Sequence, residues 1–290
     1  MTVGSDFSYL FFSLGSLICA HRIETTSSSK NWILRSIALL IFVVGAVMIR
    51  TVGVSLLLAL LIWVVVEGVR RTSTTKIQLW SVVPAILGGF FSYGIWTWWV
   101  SLNSAPTWPG EFMHSYRAQL ILKDVQRPEL GLATWVDFAS RIVTNSTFLC
   151  ATFAEMLTHL PWIEQKVYSS IVVVSGFLVL VGFIKSVRER VGVMDLYFAA
   201  YSGILLLWPF QEGPRYLFPI FPMALLYTWR GIQRCSELLR QNSFGFRISI
   251  AIGAGFLFIV SAVANIRSAP SVGVQSVFAS FFWMSLCLLF

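Results

Sequence analysis

Long apolar runs, separated by short segments that carry charge, follow one another along almost the whole chain. A membrane-spanning helix needs about 20 mainly apolar residues, and a backbone in lipid must satisfy its own hydrogen bonds. We therefore predict an all-α polytopic membrane helix bundle. Its nine predicted segments are approximately 7–20, 36–48, 52–67, 78–100, 167–184, 193–209, 215–229, 248–266 and 273–290. The shorter runs are extended by polar flanks or are broken helices enclosed by protein.

The composition excludes several other classes of protein. Only 12% of the residues are charged and 57% are hydrophobic, whereas a soluble domain carries about 25% charged residues. Lipid must cover the apolar surface that a globule of this length cannot bury. Disordered chains, nucleic-acid-binding modules and disulfide scaffolds do not fit these figures. The four cysteines form no CxxC or metal-ligand spacing, so we expect no metal and no cofactor.

The basic residues predict how the chain is oriented in the membrane. Lys and Arg in short loops stay on the cytoplasmic side. Thirteen basic residues fall in one set of alternate loops and eight in the other, so the first set is cytoplasmic. The loop 101–166, Arg50, the turn 210–215 and residues 1–6 then lie on the outer face. Because no signal-peptide pattern opens a chain that begins outside, we expect upstream helices that this sequence lacks.

The long outer loop divides the chain into three regions: membrane helices in 1–100, the outer loop in 101–166, and membrane helices in 167–290. Helical patterns around Met113–Val125 and Leu132–Val143, with tryptophans at both ends of the loop, predict helices lying along the membrane interface. An alternative is a lid over a site that opens to the outer face. The triplet Asn145-Ser146-Thr147 also fits the N-glycosylation acceptor pattern.

The most informative motif is FQEGPRYLFPIFP, from Phe210 to Pro222. It places Glu212 and Arg215 at the outer end of a helix with two prolines in its first two turns, where proline is tolerated. The free amides of a helix start and the planar fork of an arginine both suit a phosphate. Alternatively, Glu212 and Arg215 pair with each other and the prolines only kink the helix.

This motif resembles the late outer-loop motif of the GT-C superfamily, the multi-spanning glycosyltransferases that use polyprenyl-phosphate sugar donors. Two segments upstream are similar to family motifs in the expected order: Ser5-Asp6 before an apolar helix, and Ile49-Arg50-Thr51-Val52-Gly53, which resembles an Arg-x-x-Gly turn. In the family the general base is an acidic residue of the first outer loop. The resemblance implies that this carboxylate lies upstream of Met1, and we expect the chain to be inactive alone.

The resemblance implies a polyprenyl-phosphate sugar donor as the partner, with an unidentified lipid, glycan or protein acceptor and surrounding membrane lipids. Sugar transfer from such a donor needs cations to hold the leaving phosphate. We expect Arg215 first and Arg50 second to bind it, with Tyr216 and Glu212 orienting them.

Four loop residues are further candidates that would reach the site from above: His114, Tyr116, Arg117 and Lys123. A helix through 113–125 would bring two of them to one face. A lone histidine in a surface loop is more often simply solvated.

Two other functions fit the same sequence. The chain could be a transporter or flippase that recognises an anionic lipid through Arg50 and Arg215 without chemistry, because broken helices and charges within the membrane are typical of carriers. It could also be a non-catalytic membrane scaffold. The large outer loop favours the transferase, and a bacterial plasma membrane is favoured over an endoplasmic reticulum.

Overall fold

The computed structural model describes residues 3–25, 32–70, 80–103, 116–124, 127–158, 165–209 and 213–240. Within these ranges the chain is helical almost throughout and contains no β-strand, which confirms the all-α class. Leu122 and Leu132 form an antiparallel bridge. The helices are α1 Val3–Thr25, α2 Trp32–Ile49, α3 Val54–Arg70, α4 Val83–Asn103, α5 Tyr116–Ile121, α6 Trp135–Thr158, α7 Gln165–Glu189, α8 Val193–Leu207 and α9 Phe221–Arg240.

Three helical segments of the described ranges are long and apolar enough to cross a membrane: Trp32–Ile49, Thr51–Arg70 and Ile171–Glu189. The helix α8 is apolar but shorter. The helix α4 is long enough to cross a membrane, but it contains three glycines and three tryptophans, which are less apolar than aliphatic residues. The predicted segments 248–266 and 273–290 lie outside the described residues. The arrangement of nine membrane segments therefore stays a prediction, while the membrane character rests on three helices.

The chain divides into two compact units built from segments far apart in sequence. Unit 1 comprises Met1–Ser146 and Arg190–Ile220, and unit 2 comprises Thr147–Glu189 and Phe221–Phe290. In unit 1, α1 packs on α2, α2 on α4, and α3 on α8. Large side chains fill its interior, among them the fully buried Trp63 and Tyr197. Unit 1 holds the charged and aromatic residues considered below.

Unit 2 is held together by the contact of α7 with α9. The backbones of the two helices meet at glycines, because a Cβ at Gly182 would collide with the carbonyl oxygen of Tyr227 and one at Gly231 with that of Leu178. At one end of the pair, Lys185 Nζ lies 2.9 Å from Glu237 Oε1. Close packing of small residues is a common way for membrane helices to associate.

The helix predicted around Met113–Val125 is much shorter in the described residues, where α5 ends at Ile121. The backbone then turns back, since Lys123 N donates to Gly131 O at 3.0 Å and Ala133 N to Ile121 O at 2.8 Å. Gly131 has a φ of 80°, a left-handed conformation that favours glycine. A tight turn at this position therefore replaces the last turn of the predicted helix.

The second helix of the loop, predicted over Leu132–Val143, begins at Trp135 and continues to Thr158. Thr134 caps its start. Its backbone N donates to Asp137 Oδ2 at 2.8 Å, while Asp137 N donates to Thr134 Oγ1 at 3.4 Å. This reciprocal pair is a capping box, which satisfies amides that a helix start leaves unbonded. The cap explains why the helix begins three residues later than predicted.

Candidate functional site

Arg50 lies in a tight connection between two helices of unit 1. It is extended, with φ −145° and ψ 136°, and the turn Thr51–Gly53 joins it to α3. Gly53 N donates to Arg50 O at 2.9 Å. A Cβ at Gly53 would stand 2.8 Å from Val47 Cα, so a larger residue would force the connection apart. This close approach gives a physical reason for glycine three residues after the arginine.

The helix that was predicted to begin near residue 215 begins instead at Phe221. Between Gly213 and that point the chain forms short turns, including Pro214–Tyr216. The amides of Tyr216 and Leu217 donate to backbone carbonyls three residues back. The prediction of free helix-start amides beside Arg215 is therefore wrong at these two positions. Pro219 explains the delay, because proline disfavours helical backbone in the residue before it.

Residues far apart in the chain meet where these two connections lie. Arg50 Nη1 forms an ion pair with Asp6 Oδ1, and the two side chains are 11% and 9% exposed. The guanidinium carbon of Arg50 is 4.9 Å from the centre of the Tyr216 ring, and that of Arg215 is 5.2 Å from it. We call these four residues the outer cluster. The structure thus brings together Arg215 and Arg50, which were predicted to bind phosphate, and Tyr216, which was predicted to orient them.

Fully buried tyrosines adjoin the outer cluster. Tyr201 OH donates to the carbonyl oxygen of Tyr216 at 2.9 Å, which ties the Pro214–Tyr216 turn to α8. The hydroxyls of Tyr9 and Tyr197 lie 3.1 Å apart, and the rings of Tyr9 and Tyr201 are stacked with centroids 6.4 Å apart. Each buried hydroxyl therefore has a partner, as buried polar groups require. These contacts hold the ring of Tyr216 where both guanidiniums reach it.

Asn145 secures the end of α8 from which the chain leads to Arg215. Its amide nitrogen donates to the carbonyls of Leu205, Leu206 and Trp208 at 3.2, 3.0 and 2.7 Å. The last carbonyls of a helix have no partner within the helix, so this side chain supplies one. Asn145 is buried and its amide is engaged. This arrangement opposes the glycosylation that the Asn-Ser-Thr pattern allows, because the sugar would need that nitrogen exposed.

A second charged cluster lies at the opposite ends of the same helices. Arg190 Nη2 is 2.6 Å from Glu24 Oε1 and 3.7 Å from Glu67 Oε1. Glu24 and Glu67 lie in the last turns of α1 and α3, and Arg190 precedes the start of α8. We call these three residues the inner cluster, after the membrane face predicted for them. The orientation of the helices in the membrane stays a prediction.

The loop candidates take no part in the described contacts of the outer cluster. Lys123 is half-exposed, and its Nζ lies 3.5 Å from Asp137 Oδ1. The structure describes the backbone of Tyr116 and Arg117 in α5 but not their side chains. His114 and Glu212 lie outside the described residues. The predicted roles of these four residues stay predictions.

Some residues of this region were not predicted from the sequence as site residues: Asp6, Tyr9, Tyr197, Tyr201 and Asn145. Asp6 was noted only as part of a motif and given no role. The tyrosines at 197 and 201 are four residues apart, a spacing that puts both on one face of a helix. The spacing indicates that the two tyrosines share a helix face, but it does not show which residues of other helices contact them.

Comparison with known proteins gives no family model, curated protein or solved structure that matches this chain.

Proposed function

We propose that this chain is the donor-phosphate-binding part of a GT-C-type membrane glycosyltransferase, which moves a sugar from a polyprenyl-phosphate donor to an acceptor at the outer face. One observation carries the proposal: two arginines separated by most of unit 1 in sequence, Arg50 and Arg215, converge on the ring of Tyr216. The order of the three sequence motifs supports the family. The three apolar helices support a membrane-embedded donor.

The chemistry of the arginines supports a phosphate ligand. A guanidinium has five N–H donors in a fixed plane and matches phosphate oxygens in pairs. The bond from Arg50 to Asp6 uses one of these donors and holds the side chain in place. The ring of Tyr216 attracts the cationic carbon of both arginines, because the face of an aromatic ring is electron-rich. The two guanidiniums are thereby held near one point before a ligand arrives.

In the proposed reaction the bond between the anomeric carbon and the phosphate oxygen breaks, and the acceptor oxygen or nitrogen bonds to that carbon. Negative charge grows on the phosphate as it leaves, so cations that are already positioned stabilise the transition state. The acceptor proton passes to a carboxylate acting as general base. We do not assign Asp6 to that role, because it is engaged with Arg50.

The experiment measures binding of undecaprenyl phosphate, with and without a sugar, to the full chain in lipid nanodiscs. Arg215→Ala is expected to raise the dissociation constant at least tenfold, equivalent to about 1.4 kcal/mol. Arg215→Lys retains the charge but loses the paired geometry, so we expect an intermediate loss. Arg127→Ala removes an exposed arginine of the outer loop and serves as the matched control.

Unchanged binding in folded Arg215→Ala protein would contradict the phosphate assignment. A second variant, Arg50→Lys, tests the other guanidinium while keeping a cation for Asp6. The chain can also be reconstituted in sealed vesicles, in which movement of the lipid between leaflets is measured. Translocation of the lipid by the chain would favour the transporter over the transferase.

A further inference from the structure

The first half of α6 turns its polar side chains toward the protein. Asp137, Arg141 and Asn145 follow one another at intervals of four residues, which puts them on one face of the helix. Each has partners in unit 1. Asp137 accepts from Thr134, while Asn145 donates to the end of α8. Arg141 donates to the carbonyls of Leu120, Leu122 and Lys123.

The opposite face of this half-helix is apolar and exposed. Trp135, Val136 and Val143 are 89%, 77% and 68% exposed. Ala139 and Ile142 are also exposed. Ser140 and Thr144, at the margin of this face, are also exposed and are polar but uncharged. No charged side chain therefore interrupts the outward surface between residues 135 and 144, although the helix contains an aspartate and an arginine.

This orientation is the reverse of an amphipathic helix on a water-soluble protein, which buries its apolar stripe and shows its polar face to water. A helix that satisfies its polar groups internally and presents large apolar side chains outward suits lipid. Lipid is also the surrounding that the three membrane-crossing helices already require, and α6 lies in sequence between α4 and α7. A tryptophan at the first helical position is typical of the membrane–water interface.

We propose that the apolar face of α6, formed by Trp135, Val136, Ala139, Ile142 and Val143, rests in the outer leaflet of the bilayer. The helix lies at the boundary between headgroups and acyl chains, where interfacial helices bury their apolar side. Its polar face anchors the turn that follows α5 and the end of α8. The outer loop is thereby held against the membrane surface, independently of whether the outer cluster binds a phosphate.

The test places spin labels on the full chain with its four cysteines replaced by serine, in vesicles of phosphatidylcholine and phosphatidylglycerol. Single labels are introduced with Val136→Cys and Val143→Cys, and Glu129→Cys supplies the control. Glu129 is exposed in the turn before α6. Relaxation by oxygen, which concentrates in lipid, is compared with relaxation by a water-soluble nickel chelate.

We expect oxygen to relax the labels at 136 and 143 several-fold more strongly than the nickel chelate does, and the reverse order at 129. Equal access of the nickel chelate to all three labels would overturn the proposal, because the face would then be in water. Protection from both reagents would also overturn it, since protein would cover the face. Dipolar broadening that disappears on dilution with unlabelled chain would identify a second copy as the occupant instead. If either label prevents folding, Ala139→Cys reports on the same face.

Discussion

The outer and inner clusters both combine arginines with acidic residues, but in opposite numbers. In the outer cluster one carboxylate, Asp6, joins a guanidinium that shares a tyrosine ring with a second guanidinium. In the inner cluster two carboxylates, Glu24 and Glu67, converge on the single guanidinium of Arg190. The outer cluster connects the start of α1 and the turn before α3 to the segment after α8, and the inner cluster connects the last turns of α1 and α3 to the residues before α8. They differ in which charge is gathered in excess among the groups they join.

Under the proposed function the outer cluster binds an anionic ligand, whereas the inner cluster ties helix ends together. An anion near the ring of Tyr216 would be attracted by both guanidiniums, because opposite charges attract. In the inner cluster the carboxylates are 5% and 3% exposed, whereas Arg190 is 56% exposed. The arginine there neutralises buried acids from its position at the surface. Its evident role is to fix the start of α8 against α1 and α3.

The largest effect is expected at the buried pair of the outer cluster. Arg50→Gln leaves the carboxylate of Asp6 buried without its guanidinium, which should lower the free energy of unfolding by about 3–5 kcal/mol. The measurement is detergent-induced or thermal unfolding of the purified chain. The double variant Asp6→Asn/Arg50→Gln should regain more than half of the loss. A double variant as unstable as the single one would show that the stranded carboxylate is not the cause.

The matching change in the inner cluster should cost less. Arg190→Gln removes one partner of two buried carboxylates, and the arginine is more than half exposed, so its interaction is partly screened by water. We expect a loss of about 1–2 kcal/mol in the same unfolding measurement. Adding Glu67→Gln should reduce that loss. If Arg190→Gln proves more damaging than Arg50→Gln, the ranking of the two clusters is wrong.

A third change tests the helix that links the two clusters. Asn145→Ala removes the donor to the carbonyls of Leu205, Leu206 and Trp208 at the end of α8. Among the described residues, the carbonyl of Leu205 would keep only the bond from Trp208 N at 3.3 Å. The expected loss of stability is about 1–2 kcal/mol, in the range of a lost cap or buried hydrogen bond. Ser140→Ala, on the exposed side of α6, the helix that carries Asn145, should change stability by less than about 0.5 kcal/mol. Equal effects of the two substitutions would exclude the cap as the cause.

The smallest effect concerns an exposed ion pair outside both clusters. Hydrogen bonds from the hydroxyl and backbone amide of Thr134, together with the charge of Lys123, hold the pKa of Asp137 below its ordinary value of 3.8. The contacts that lower this pKa stabilise the folded chain at pH values above 3.8. That stabilisation is lost as the pH falls through the lowered pKa, because the carboxylate is then protonated. The protection factors for hydrogen exchange in the first turn of α6, which are corrected for the intrinsic pH dependence of exchange, should therefore fall as the pH drops below 3.8. In Asp137→Asn the protection factors should no longer change in that acid range. A first turn that keeps its acid sensitivity in this variant would implicate another group.

Several features were predictable because they depend on neighbouring residues. The apolar runs predicted α2 and α3, since hydropathy is summed along consecutive positions. The motifs singled out Arg50 and Arg215 before their proximity was known. The start of α6 was missed by three residues, and a capping threonine with an aspartate three residues later was the readable signal.

Other features could not be read from the chain. The pattern of α6 predicts an amphipathic helix but does not say whether its polar or its apolar face meets the protein. The pairing of Asp6 with Arg50 joins residues 44 positions apart. The late start of α9 reflects turns whose hydrogen bonds compete with a helix between Gly213 and Phe221.

The amino-acid order alone established that this chain is helical and belongs in lipid, because the energy of transferring a run of apolar residues out of water is a local sum. The folded arrangement alone decided which charged groups lie close enough to pair, as Asp6 does with Arg50 and Glu24 with Arg190. Electrostatic energy depends on the distance between groups and on the dielectric around them. Both quantities are set only when the helices pack.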